Sequence, residues 1–261
     1  MPVTSASPRP LAIVLAAGKG TRMQSDLPKV LAEAAGRPLV RWVLDALAAA
    51  DVTDRIVVVG YRADLVETAL AGVAGVSFAV QREQRGTGDA VAAAAPHVAA
   101  AIAADPPDAS RPVVIVCGDS PMLRPESVRG LLAEFARRRA ACLVGTAITA
   151  DPAGLGRIVR SPDGRFERIV EERDATPVER EIREVNMSTY VFDARALLHA
   201  LSRLDTRNAA GEYYITDCPG SLLREGREVD AVACLDPSET LSVNTPDQLA
   251  AVGRALASRP A

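Results

Sequence analysis

Aromatic side chains are scarce in this chain, with one Trp, four Tyr and four Phe among 261 residues. Proteins that grip single-stranded nucleic acid use aromatic stacking platforms, so this scarcity argues against that class. Histidine is scarcer still. The two histidines, His97 and His199, both fall in helix-like segments. A histidine-based triad or a His-rich zinc site is therefore not expected. The four cysteines, Cys117, Cys142, Cys218 and Cys234, form no C-x-x-C pair. Cys117 and Cys142 sit in apolar, strand-like runs and read as reduced, buried thiols. No apolar run reaches membrane-spanning length, because charge or proline breaks even the alanine-rich segments. The net charge of −3 offers no global attraction for nucleic acid or an anionic membrane surface. Residues 1–10 carry no apolar leader region and read as a flexible tail, with the cytoplasm as the expected compartment.

Apolar residues make up 48% and charged residues 24%, an ordinary globular balance. The length suits one large domain, expected over residues 11–257. Short β-branched runs (Leu11–Ala16, Ile56–Gly60, Val76–Val80, Val113–Cys117, Cys142–Ile148) alternate with helical patterns (Leu39–Ala50, Ala63–Ala71, Gly88–Ala95, Glu126–Arg139). That alternation predicts an α/β fold, a Rossmann-like, mostly parallel, doubly wound sheet with right-handed crossovers. Ligands on such sheets sit at the carboxyl ends of strands beside a topological switch point. Beyond about residue 150 the texture changes. A β-hairpin is expected from Arg157–Arg160, Asp163-Gly164 and Phe166–Glu171, then a strand over Val185–Phe192. Helices over Ala194–Arg203 and Tyr213–Arg224, a strand over Val229–Leu235 and a last helix after Asn244-Thr245-Pro246 complete the reading. This half reads as an elaboration of the same domain that forms one wall of the pocket.

The first strand empties into Ala17-Gly18-Lys19-Gly20-Thr21-Arg22-Met23, a loop of small residues carrying two cations, with Pro28-Lys29 just beyond. Backbone N–H groups in such a loop can approach phosphate oxygens while Lys and Arg neutralise them. It is not a P-loop, lacking Gly-Lys-Ser/Thr, and Met23 stands where a dinucleotide fingerprint has its third glycine. Pro28 stiffens the segment that presents Lys29. Asp119 follows a strand and a glycine; it reads as a turn cap or as an oxygen ligand for Mg²⁺ beside phosphate. Asn244 offers an amide oxygen for the same cation, or a helix cap. Gln81 and the run Gln84-Arg85-Gly86-Thr87-Gly88 suit a nucleobase edge or simply the start of a helix. Two of the four tyrosines meet in Gly211–Asp217, where core or rim roles are the ordinary reading. The charged stretch 171–183 reads first as a solvated face.

Taken in order, these motifs resemble the sugar-nucleotide pyrophosphorylases. The likeness is strongest to the N-terminal uridylyltransferase domain of the bifunctional bacterial enzymes that make UDP-N-acetylglucosamine. It runs from about Leu11 to Ala251. Leu15–Met23 is shared by a broad nucleotidyltransferase superfamily; Ser25–Leu31, Gln84–Gly88, Gly118-Asp119, Gly156-Arg157-Ile158, Glu171, Asn186, Gly211–Asp217 and Val243-Asn244-Thr245 are more selective. The resemblance implies UTP and N-acetylglucosamine 1-phosphate as substrates and Mg²⁺ as cofactor, with no nucleic-acid or membrane partner and a monomer or weak dimer. It implies nucleotide contacts from Leu15, Ala16, Ala17, Gly18, Lys29, Gln81, Gly86, Thr87, Cys117, Gly118 and Asp119. It assigns Arg22, Lys29 and Asp119 to catalysis, Asp119 and Asn244 to the metal, and Gly156, Glu171, Asn186, Thr216 and Asn244 to the sugar.

Three departures stand out. Cys117 replaces the tyrosine usual before Gly-Asp, and Met187-Ser188 replaces the usual Thr-Gly after Asn186. Nor do these 261 residues contain hexapeptide repeats, so an acetyltransferase activity has no expected home in them. The same chemistry on another pair, such as dTTP or UTP with glucose 1-phosphate, and a silent nucleotide-sugar-binding regulator are the alternatives.

Overall fold

The computed structural model describes residues 8–23, 25–241 and 243–259. Most of the expected tail therefore lies outside the described residues. Within them, the Arg9 carbonyl accepts a hydrogen bond from Arg111 Nη1 at 2.9 Å. The strands are β1 (Leu11–Ala16), β2 (Glu33–Ala34), β3 (Arg37–Pro38), β4 (Asp54–Val59), β5 (Val76–Val80), β6 (Pro112–Cys117), β7 (Cys142–Ile148), β8 (Arg157–Arg160), β9 (Phe166–Val170), β10 (Glu184–Asp193) and β11 (Val229–Ala233). The helices are α1 (Leu39–Ala49), α2 (Ala63–Ala69), α3 (Thr87–Ala93), α4 (Ala95–Ala103), α5 (Pro125–Arg138), α6 (Pro177–Arg180), α7 (Ala194–Leu201), α8 (Asp217–Arg224) and α9 (Pro246–Ala257).

The main sheet runs β11-β7-β10-β6-β1-β4-β5, and β10 alone of these seven is reversed. The β-branched runs are buried on both faces, as expected of parallel strands covered by helices. Alternation along β1 divides the core. Leu11 and Ile13 pack with Val91, Val98, Leu197 and Leu222 from α3, α4, α7 and α8. Ala12, Val14 and Ala16 face the other side, with Leu44, Leu47, Val66, Leu131 and Phe135 from α1, α2 and α5. From β1 the chain winds outward through β4 and β5, then returns to place β6 on the other flank of β1. That reversal is the switch point, and it opens at the carboxyl ends of β1 and β6. Because β10 is antiparallel, its first residues lie at this same edge. The β8–β9 hairpin, joined to β10 through Val185 and Arg157, extends the wall.

The structure differs from the sequence expectation in several places. Tyr213–Thr216 is a loop, and α8 starts only at Asp217. Its backbone is claimed by tertiary partners: Tyr213 N donates to Arg85 O (2.8 Å), Gly88 N to Tyr213 O (2.7 Å) and Ile215 N to Thr87 Oγ1 (3.1 Å). A helix cannot keep groups already used elsewhere. The unforeseen α4 begins where Pro96, in its first turn, breaks the path from α3. The charged stretch 171–183 is more than a solvated face. Glu172 pairs at 2.9 Å with Arg157, whose side chain is only 2% exposed, and Thr176 with Glu179 forms a capping box on α6.

Candidate active site

Four polar residues from four parts of the chain converge at the switch point. Arg22 Nη2 and Lys29 Nζ each donate to Asn244 Oδ1 at 2.9 Å, and Lys29 Nζ is also ion-paired with Asp119 Oδ2. Local structure explains each placement. Arg22 sits in a 3-10 turn, Thr21–Met23, closed by Met23 N donating to Gly20 O at 2.9 Å. Met23, where a phosphate fingerprint would have glycine, is instead an anchor. It is buried with Leu39, Met122 and Val243 and with Val252 and Leu256 of α9. That apolar cluster draws Val243, and with it Asn244, to the loop from the far end of the chain. Lys29 follows Pro28, whose ψ of 133° sends the chain into a 3-10 turn. Gly20, at φ +67°, passes so close that a Cβ there would lie 2.6 Å from Lys29 Cβ. The two loops are thus locked stem against backbone.

The alternative roles of these residues fall to neighbours. Thr245 caps α9, accepting from Gln248 N, while Gln248 Oε1 accepts from Asn244 N at 2.8 Å. The turn after β6 is closed by Ser120 N donating to Cys117 O at 3.2 Å, and the Asp119 carboxylate faces Lys29. Lys19, the other loop cation, lies over the Tyr61 ring at 5.3 Å from its centroid and so is turned from the cluster.

A cavity of about 350 Å³ opens from this cluster. Of the sequence-predicted nucleotide residues, Leu15, Ala16, Ala17, Gly18, Lys29, Gln81, Gly86, Thr87, Cys117 and Asp119 line it. Gly118 stands just behind, its N donating to Leu15 O at 2.8 Å; a Cβ there would meet that oxygen at 3.0 Å. Gln81 Nε2 donates to Gly86 O (3.1 Å) and to Asp89 Oδ2 (2.9 Å). Both partners are acceptors, so the amide orientation is determined and Oε1 is the face left for a donor. Gln84 and Glu212 also line the cavity, beyond the residues that the sequence points to. Gln84 lies inside the Gln84–Gly88 motif. Glu212 lies in the Gly211–Asp217 motif, just ahead of the expected helix, where the tyrosines beside it carry the ordinary core or rim reading. Burial, with Asp119 as the next cause, pushes the Cys117 thiol up to about 12, so the thiol is neutral near pH 7.

The sugar-assigned residues assemble beside this cavity in two pairs. Thr216 Oγ1 donates to Glu171 Oε1 at 3.0 Å, and Asn186 N donates to Gly156 O at 2.8 Å. Asn186 Nδ2 donates to the buried Tyr190 hydroxyl at 2.7 Å, and Ser188 N donates to Asn186 Oδ1 at 3.1 Å. Tyr190 is a partner of Asn186 that the sequence does not reveal, since a tyrosine inside a strand reads as core. Burial raises the Glu171 carboxyl; the Thr216 hydrogen bond opposes this, and Asp174 and Asp217 add to it. Asn244, assigned to both metal and sugar, groups with the cations Arg22 and Lys29. A register shift between Asn186 and Thr189 marks a bulge, and Ser188 adopts φ +50° within it.

Among the described residues no group of three or more His, Cys, Asp or Glu could cage a metal by itself. Asp119 and Asn244 bring two oxygens to one ammonium, a donor pair suited to a hard divalent cation completed by phosphate and water. All four cysteines are free thiols. No described helix is long and apolar enough to cross a membrane.

Residues 12–212 match the MobA-like NTP transferase domain family. The chain is 45% identical over 243 residues to the bifunctional protein GlmU of Geobacter metallireducens, and 43% identical over 238 residues to that of Brevibacillus brevis. These alignments cover 93% and 91% of this chain but 49% and 50% of the relatives. The chain thus spans about half the length of the curated relatives it matches. Among solved structures, UDP-glucose pyrophosphorylase complexed with UDP-glucose superposes with a TM-score of 0.73 over 96% of this chain and 99% of that one, at 14% identity. That likeness is one of fold.

Proposed function

The chain belongs to the MobA-like NTP transferase domain family, and from that premise we propose that it is a Mg²⁺-dependent N-acetylglucosamine-1-phosphate uridylyltransferase. The reaction is UTP + N-acetylglucosamine 1-phosphate → UDP-N-acetylglucosamine + pyrophosphate. The observation that carries this reading is the convergence of Arg22, Lys29, Asp119 and Asn244 at the mouth of the cavity between β1 and β6. One domain over residues 11–257 would house both substrates.

In this reading the loop Leu15–Gly18 and the segment Gly86-Thr87 hold the uridine, with Cys117 and Gly118 as floor. Gln81 offers its Oε1 to the uracil N3–H, a donor that cytosine lacks. Arg22 and Lys29 grip the triphosphate as charge-assisted donors. Glu171, Asn186, Gly156 and Thr216 receive the sugar, with Glu171 accepting from its hydroxyls. The sugar phosphate oxygen attacks the α-phosphorus in line, the bond from the α-phosphorus to the bridging oxygen breaks, and pyrophosphate leaves with that electron pair. A phosphate monoester is already ionised near neutral pH, so no strong general base is required and the scarcity of histidine fits. Positioning two mutually repelling anions and neutralising the leaving group supply the catalysis. Asp119 and Asn244 would hold Mg²⁺, which when bound supplies further charge neutralisation to the phosphates.

The test is a screen of nucleotide and sugar-1-phosphate pairs, UTP and dTTP against N-acetylglucosamine and glucose 1-phosphates, for metal-dependent pyrophosphate release. Highest kcat/KM with UTP and N-acetylglucosamine 1-phosphate is expected. Turnover on another pair alone would reassign the specificity, and binding without turnover on any pair would make the chain a nucleotide-sugar sensor.

A further inference from the structure

We propose that in the free protein Lys29 itself occupies the cation position between Asp119 and Asn244, so that a divalent metal loads only together with the nucleotide that draws Lys29 away. This rests on the metal reading of Asp119 and Asn244 given above. Three observations carry it. The Lys29 ammonium is ion-paired with Asp119 Oδ2 and donates to Asn244 Oδ1 at 2.9 Å, so it stands on both oxygens assigned to the metal. The Arg22 guanidinium reaches that same Asn244 oxygen, also at 2.9 Å. The Lys29 side chain is only 13% exposed, so water screens this arrangement weakly.

Charge then determines the loading order. In the free site one cation sits on the Asp119 carboxylate and a second stands on the Asn244 oxygen beside it. A divalent ion entering it would meet an ammonium already bound to its ligands and a guanidinium beside them. A triphosphate reverses the balance, because its oxygens offer both cations stronger, charge-assisted partners. The close pass of Gly20 runs along Lys29 Cβ, Cγ and Cδ, so the motion that carries the ammonium off the two oxygens falls to the outermost bonds of this flexible side chain. Lys29 is thus a built-in competitor for the metal as well as a phosphate ligand. The free protein resists adventitious divalent cations, and metal and nucleotide bind with positive coupling.

The test measures Mn²⁺ alone binding to the full chain by electron paramagnetic resonance, first without nucleotide. Lys29→Met keeps the stem and removes the charge; it is expected to bind Mn²⁺ at least roughly tenfold more tightly than the unaltered chain, the size of one lost like-charge interaction. Adding Asp119→Asn to that variant is expected to abolish the gain. UTP, with its own Mn²⁺ binding subtracted, is expected to create an Asp119-dependent Mn²⁺ site in the unaltered chain. Lys29→Gln serves as a second variant should Lys29→Met fold poorly by circular dichroism. Equal, Asp119-dependent Mn²⁺ affinity with and without the lysine would overturn the competition while leaving the metal reading intact. Absence of Asp119-dependent Mn²⁺ binding in every form, UTP included, would sink the metal reading and this inference with it.

Discussion

Arg22 and Asn244 are 222 residues apart in sequence, yet Arg22 Nη2 donates to Asn244 Oδ1 across 2.9 Å. The contact joins the loop after β1 to the turn before α9. It exists because Met23 and Val243, the chain neighbours of the two residues, are buried in one apolar cluster with α9. A polar contact at the mouth is therefore held by packing beneath it.

Removing charge from this cluster should act on turnover first. Arg22→Ala and Lys29→Ala are each expected to lower kcat by roughly 10²–10³, the usual cost of losing a donor to developing charge. Continuous pyrophosphate detection at saturating UTP and Mg²⁺ checks this, with the exposed Lys19→Ala as control. Near-normal turnover by Lys29→Ala would remove Lys29 from the mechanism.

Two glycines should separate fold from ligand. Gly86 has φ +113°, and a Cβ there would lie 2.4 Å from the Tyr213 carbonyl oxygen, where backbone must give way. Gly86→Ala is expected to cost about 1–3 kcal/mol from backbone strain alone and to weaken binding of both substrates, since it parts the Arg85–Gly88 segment from the Tyr213–Thr216 loop. Gly18 lines the cavity with open space around its would-be Cβ and no positive φ. Gly18→Ala should keep its melting temperature while raising KM for UTP. Calorimetry and steady-state kinetics on both variants distinguish the two roles.

Glu171 should make stability depend on pH. Its carboxyl is raised in the folded state, chiefly by burial, so the native protein holds that proton more tightly than the unfolded chain. Stability then falls as pH rises from the unfolded value of about 4.3 through the raised native one, and stays lower above it. Glu171→Gln removes the buried charge and can still accept from Thr216. Its melting temperature is expected to exceed that of the unaltered chain at pH 8, with the gap closing as the pH nears 4.3. Its kcat/KM for the sugar phosphate should fall roughly tenfold or more, as hydrogen bonds to a charged acceptor are lost. A gap that widened on acidification would refute the burial account.

Ser188 occupies the left-handed region at φ +50° without glycine's freedom. Ser188→Gly is expected to relieve about 1 kcal/mol of backbone strain, offset in part by the greater entropy of glycine in the unfolded chain. Ser188, within the β10 bulge, reaches Cys117, and a hydrogen bond from Ser188 opposes the rise in the Cys117 thiol. The two departures from the usual motifs therefore meet. Ser188→Gly combined with Cys117→Tyr should show non-additive changes in sugar-phosphate KM in a double-mutant cycle. Additive effects would mean that the two positions act separately.

The sequence by itself determined the alternation of β-branched strands and helices, because local patterning and burial on both faces act over a few residues. It also determined many of the residues that surround the cavity between β1 and β6, since Leu15–Gly18, Gly86-Thr87 and Gly118-Asp119 each follow a strand whose end is readable locally. Only the tertiary structure decided how the two loop cations are placed. Local patterning treats Lys19 and Arg22 alike and only the family resemblance singles out Arg22, whereas Met23 packing against α9 turns Arg22 inward while Tyr61 takes Lys19. It likewise decided that Tyr213–Thr216 is loop, because hydrogen bonds to Arg85, Thr87 and Gly88 claim the backbone groups a helix would need. Patterns set within a turn of chain were legible; partners supplied by burial and hydrogen bonding across more than a hundred residues were not.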